Sequence, residues 1–360
     1  MKRRVIALML VLCLMLSGCS SLLSGHMHWE QTHDIPSLPN SNQELTASDY
    51  DELIRVLSIS IEQGMEQFSI SVGRYNRDSL EADVDQAVDV VCRTNPVAAY
   101  AVSHVSCQIG ASGGETVLVV RVSYLHDQNE IARIQTVSDN TSARDAIAVA
   151  MNACESALVL RIEHYEDEDF LLYVEQYAQE FPQYVMEIPQ VSMHLYPETG
   201  IDRVLEIRFQ YVTGRDALQV MQDQVLTLFH ASVNIVSVTE NTKNKFTQLY
   251  SLLVERFQKY TIETSMTPAY SLLLYGVGDA KAFATIYAAM CQEAGLSCQL
   301  VVGTKAGKPW YWNIVCVDGI YYHVDLLRSK TEGNLRMMSD TIMEEGYVWD
   351  FDAYPACGIK

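Results

Sequence analysis

The sequence predicts an α+β protein, and three observations carry that prediction. From about residue 48 to residue 240 one order of segments (helix, strand, helix, strand, strand) occurs twice. An apolar helix at 276–296 is then followed by segments whose apolar residues alternate as in half-buried strands. The 360 residues are 49% hydrophobic and 19% charged, so packed cores are expected and extensive disorder is not.

In the first copy an amphipathic helix, DYDELIRVLSISIEQG, leads into an alternating strand, EQFSISVGR. A second helix, SLEADVDQAVDVVCRTNP, precedes two strands, AAYAVSHVSCQIG and ETVLVVRVSY, joined by the turn ASGG. The second copy reads SARDAIAVAMNACES, ALVLRIEHY, DFLLYVEQYAQEFP, YVMEIPQVSMHLYP and RVLEIRFQYV, with ETGID as its turn. Pro96 and Pro182 close the second helix of each copy. Each copy is an α+β module: a hairpin plus a further strand, with helices on one face. Their spans are 46–140 and 141–240, and 241–360 form a third domain. Neither module gathers titratable residues at catalytic spacing; the acidic run HYEDEDF reads as a solvated loop.

The first residues carry an address. Lys2, Arg3 and Arg4 precede an apolar run from Val5 to Leu16, too short to span a bilayer as a mature helix, so residues 1–18 read as an export signal. The ending Leu-Ser-Gly-Cys resembles the bacterial lipobox, which implies lipid on Cys19. Residues 19–45, rich in Pro, Ser and Asn, form a tether. His26, His28 and His33 within it lack any surroundings that would orient them as metal ligands. The expected location is extracytoplasmic, anchored in the membrane by that lipid.

A formal charge of −20 repels polyanions and excludes nucleic acid as an electrostatic partner. Beyond Cys13 and Cys19 the cysteines are Cys92, Cys107, Cys154, Cys291, Cys298, Cys316 and Cys357, an odd number without C-x-x-C spacing. An oxidising compartment permits one pair, such as Cys92 with Cys107, which the sequence does not decide. No metal or cofactor is expected.

The last third carries AYSLLLYGVGDA, MCQEAGL, LVVG, GKPWYWNIVCVDG and YYHVD, in that order. The series resembles the transglutaminase-like superfamily of papain-like fold, over residues 240 to 360. The resemblance implies a Cys nucleophile at a helix start, a His base on a neighbouring strand and an Asp that orients it. Those positions are occupied by Ala280, Trp310 and Asp325. A methyl is no nucleophile, and an indole N–H donates but accepts no proton. Cys291 lies eleven residues beyond Ala280, roughly 16 Å along a helix, and cannot stand in. His323 shares a strand face with Asp325; it reads first as a hydrogen-bonded strand histidine, and otherwise as the surrogate base that a residual hydrolase would use on water. Asp279 is expected to cap the helix. Trp310, Tyr311 and Trp312 either plug the old cleft or line it as an aromatic platform.

The reading is a bacterial envelope lipoprotein with a catalytically inactive transglutaminase-like domain that binds an envelope protein, peptide or glycan. Its rivals are the hydrolase on His323 and Asp325, and a protein whose duplicated region alone holds the partner.

Overall fold

The computed structural model describes residues 45–358 apart from 238–240 and 261–267. Residues 1–18, Cys19 and the His-containing tether to residue 44 lie outside the described residues.

The first stretch folds as β1 (Leu45–Thr46), α1 (Tyr50–Glu62), β2 (Gln67–Ser71), α2 (Leu80–Thr94), α3 (Pro96–Ala101), β3 (Val102–Ser112) and β4 (Glu115–Tyr124). Helix α1 begins where the Asp49 carboxylate accepts from the Glu52 backbone N–H, and it buries Leu53, Val56, Leu57 and Ile61 along one stripe. That stripe and the matching one on α2 (Val84, Ala87, Val88, Val91) pack with Phe68, Ile70, Leu118 and Val120 in one core. Residues 98–101, expected to begin a strand, instead complete α3. Pro96 stands at its first turn and the Asn95 side chain accepts from the Ala98 N–H, so the chain restarts a helix where the previous one ends.

Next come α4 (Gln128–Ala132), β5 (Gln135–Asp139), α5 (Asn140–Asn152), β6 (Ala157–His164), α6 (Phe170–Glu180), β7 (Gln190–Tyr196) and β8 (Arg203–Gln210). The two four-stranded sheets share one order, β1-β2-β4-β3 and β5-β6-β8-β7. In each, the lead strand pairs parallel with the strand after the first helix. The sequence shows the repeat but not these lead strands. In the acidic run, Glu168 receives Arg144 at 2.7 Å, and Asp169 caps α6 through the Leu172 N–H.

The remainder is α7 (Arg215–Ser237), α8 (Thr242–Arg256), β9 (Lys259–Tyr260), α9 (Pro268–Tyr275), β10 (Val277–Gly278), α10 (Ala280–Glu293), β11 (Cys298–Lys305), β12 (Lys308–Val317), β13 (Ile320–Val324), α11 (Leu326–Glu332), α12 (Asp340–Met343) and β14 (Tyr347–Val348). Strands β13-β12-β11-β14 form one sheet, with β11 and β13 antiparallel to β12. The β11–β12 hairpin turns on Ala306-Gly307 and the β12–β13 hairpin on Asp318-Gly319, all four residues with positive φ.

The chain divides into two compact units. One holds the described residues to Asp139 with Val159–Glu166 and His194–Glu206; the other holds Asn140–Leu158, Asp167–Met193 and the described residues from Ile207 onward. The core of the second unit runs from Cys154 and Met186 through α7, α8, α9 and α10 to Val315, Val324 and Leu326. Helical parts of the segment 141–240 therefore share a core with residues beyond 241. Helix α10 supplies the centre of this core, with Phe283, Ile286, Tyr287, Met290 and Cys291 all buried.

Gly276 has φ +65, and a Cβ there would fall 2.1 Å from the Arg256 carbonyl oxygen. The turn into α10 thus requires glycine for both dihedral and space. Gly276→Ala is expected to cost about 2 kcal/mol or more, read as a lower urea midpoint with unchanged m-value. A midpoint equal to that of the parent protein would show that the turn has another solution.

Candidate functional site

The sheet β13-β12-β11-β14 has two sides. On one, Val315, Val317, Val324 and Leu326 join the core of α10, and the Asn313 side-chain amide donates to the Ala284 carbonyl at 2.8 Å. On the other, Trp312, Ile314, Met338, Met343, Tyr347, Trp349 and Cys357 form a second, smaller core.

Asp325 follows directly on β13 and is 1% exposed. Its Oδ1 accepts from the Arg328 backbone N–H at 3.0 Å, which makes it the cap of α11. Its Oδ2 accepts from Lys305 Nζ at 2.9 Å, Trp310 Nε1 at 2.9 Å and Tyr347 Oη at 2.7 Å. Burial alone would raise this carboxyl; the Arg328 N–H, the Lys305 ammonium and the Tyr347 hydroxyl outweigh it and hold the pKa below its ordinary value. Burial and the Asp325 charge in turn push the Tyr347 phenol upward. The Lys305 ammonium lies 4.7 Å from the Trp310 ring centre and 4.9 Å from that of Tyr347, so two ring faces share its charge with Asp325.

Trp310 thus makes the hydrogen bond to Asp325 that a histidine would make and has no second nitrogen to offer. Ala280 opens α10, 5% exposed, and the Asp279 carboxylate accepts from the Ala282 N–H at 2.9 Å, capping the helix. Beside it, Lys281 Nζ lies 5.5 Å from the centre of the Tyr311 ring, so the helix start meets β12 next to Trp310. A cavity of about 410 Å³ lies beside the Asp325 cluster, lined in part by Lys305, Trp310, Leu327, Arg328 and Tyr347.

His323 shares a sheet face with Asp325 and is completely buried and hydrogen-bonded as a strand histidine, not open as the alternative surrogate base would be. Its Nδ1 lies 2.9 Å from Trp312 Nε1 and its Nε2 lies 2.8 Å from Asp340 Oδ1. Because an indole N–H only donates, Nδ1 must be the acceptor and Nε2 carries the proton toward Asp340. Burial lowers the His323 pKa against the opposing pull of Asp340. It is therefore a neutral core histidine with both nitrogens engaged, not a base open to water. Trp312, expected at the cleft, is also fully buried and packs edge-on against Tyr347 and Trp349. Of the aromatic trio, Trp310 and Tyr311 remain part-exposed.

Among the described residues, His323, Asp340 and Cys357 bring ligand atoms within 4.8 Å of one another. They do not suit a metal: coordination at Nε2 would move the proton to Nδ1, against the Trp312 N–H, and burial pushes the Cys357 thiol up to about 12. Cys92 and Cys107 are both free thiols. Cys291 is fully buried with its thiol pushed well up, no nucleophile.

Lys305 and Tyr347 are the members of the site that sequence reasoning misses. Lys305 follows the V-x-G strand at a position without a motif, and Tyr347 comes from a short strand 22 residues beyond Asp325.

Residues 230–326 match the family model of the Transglutaminase-like superfamily, so the second unit contains a transglutaminase-like domain. No curated protein sequence matches the chain. Among solved structures the chain is similar to a candidate cysteine protease from Cytophaga hutchinsonii, at 10% identity and TM-score 0.26 over 42% of this chain and 65% of that one. It is also similar to a structure described as a TGase, at 13% identity and TM-score 0.27 over 52% and 55% of the two chains. A third is a candidate protease from Parabacteroides distasonis, at 10% identity and TM-score 0.24 over 60% and 47%. The chain thus spans about half to two thirds of each of these relatives.

Acidification should act in two stages. The folded pKa of His323 lies below its ordinary 6.5 and that of Asp325 below 3.8, so in each case the unfolded chain binds its proton first as pH falls. The His323 contribution is complete above pH 6.5 and is lost on descent toward its folded value; that of Asp325 is lost only below 3.8. Trp312→Phe removes the N–H that opposes protonation, so His323 should titrate higher by NMR and the first stage should shrink. A His323 titration unmoved by Trp312→Phe would refute the tautomer assignment.

Proposed function

We propose that the protein is a lipoprotein, anchored outside the cytoplasm through Cys19, whose transglutaminase-like domain does not catalyse and instead binds or positions a cell-envelope protein, peptide or glycan. One observation carries the reading: the place of the general base is filled by the Trp310 indole, locked by its single N–H onto Asp325. Acyl transfer of this kind needs an attacking sulfur and a proton acceptor together. Here a methyl, Ala280, and an indole take those places. The alternative hydrolase finds no support, since the imidazole of His323 is neutral, buried and bonded to Trp312 and Asp340.

Two measurements test the proposal. Purified protein lacking residues 1–19 should give no amidase, protease or transamidation turnover above a heat-killed control. Turnover abolished by substitution at Trp310 or Asp325 would end the reading. In cells, Cys19→Ala should move the protein from the membrane to the soluble extracytoplasmic fraction; unchanged membrane retention would contradict the anchor.

A further inference from the structure

Away from the Asp325 cluster, the second unit contains a cavity of about 640 Å³ between α6, α10 and the start of β11. Strand β11 pairs with β12 along its whole length, but β14 meets its other edge only at Thr304 and Lys305. Among the described residues, the edge from Cys298 to Val302 has no strand partner. The Val302 N–H points to this side, since it donates to the Tyr354 hydroxyl at 3.3 Å. By the two-residue period of a strand, the N–H and C=O groups of Leu300 point the same way, and Leu300 and Tyr354 both line the cavity. An unpaired edge of this kind is a template for an extended chain.

The walls suit such a chain. Gln176, Gln179 and Gln292 present carboxamides, each a donor and an acceptor, as a peptide group requires. Ala288 and Ala289 leave room for a ligand side chain between them. Glu180 stands at the rim, and among the described residues neither lysine nor arginine lines the cavity.

We propose that this groove is a peptide-binding site that takes an extended, cationic segment of a partner polypeptide as an added strand on the outer edge of β11. The proposal rests on the non-catalytic reading above and gives it a place and a partner class. The edge fixes the extended conformation, the carboxamides read the backbone, and Glu180 selects a positive side chain.

The test is selection of displayed random decapeptides on the full-length protein in detergent. Extended sequences carrying Lys or Arg should be enriched, and binding should slow hydrogen exchange at the Leu300 amide. Leu300→Pro removes the outward N–H at an edge position that tolerates proline, and should weaken the selected peptides about tenfold or more. Glu180→Lys, on an exposed position, should weaken cationic peptides by a similar factor, and it decides the matter if Leu300→Pro fails to fold. Recovery of no peptide, or of peptides that bind both variants as tightly as the parent, overturns the proposal. Selected peptides that are bound and then cut would instead overturn the non-catalytic reading while leaving the groove in place.

Discussion

A carboxylate that is 1% exposed keeps its charge only where donors replace water, and Asp325 meets them from four directions. Lys305 comes from β11, Trp310 from β12, Tyr347 from β14 and the Arg328 N–H from the first turn of α11. Asp325 itself directly follows β13, so one side chain ties together every strand of its sheet and starts the following helix. Gly303 belongs to the same arrangement. A Cβ there would fall 2.4 Å from the Val348 carbonyl oxygen and 2.6 Å from the Trp312 ring, so β14 closes on β11 because position 303 has no side chain.

The same bonds give the Trp310 position a structural role in the sheet. In a working site of this superfamily the aspartate turns an imidazole so that its far nitrogen faces the thiol. Trp310 accepts the orienting half of that arrangement and has no far nitrogen. Its ring instead shares the Lys305 ammonium with Tyr347 and Asp325, which makes the cluster charge-compensated. His323, two residues before Asp325, is drawn into the small core by Trp312 and Asp340 and held neutral. Asp325 with Lys305 and His323 with Asp340 are therefore each answered within the fold.

What the sequence reveals divides along physical lines. The helices α1, α2, α5, α6 and α10 are legible because each carries an apolar stripe of helical period, and Asp279 is legible as a cap because a short acidic side chain stands immediately before an apolar run. The repeat is legible because its order recurs, whereas β1 and β5 exist only through parallel pairing with β2 and β6, which leaves no local pattern. In the site, strand alternation places His323 beside Asp325 on one face. It cannot say that Trp312 takes one ring nitrogen and Asp340 the other, because Asp340 arrives from α12, seventeen residues on. Lys305 and Tyr347 escape notice for the same reason: their meaning is set by contacts across strands.

The most direct test is the acidity of a thiol placed at the helix start. The alkylation rate of Ala280→Cys against pH should report a cysteine within reach of the ordinary value of about 8.5, lowered only by the helix N-terminus, while adding Trp310→His should bring a markedly lower thiol pKa through an imidazole partner. A strongly depressed pKa in Ala280→Cys alone, equal to that of the double variant, would mean that a base already faces residue 280 and would contradict this account.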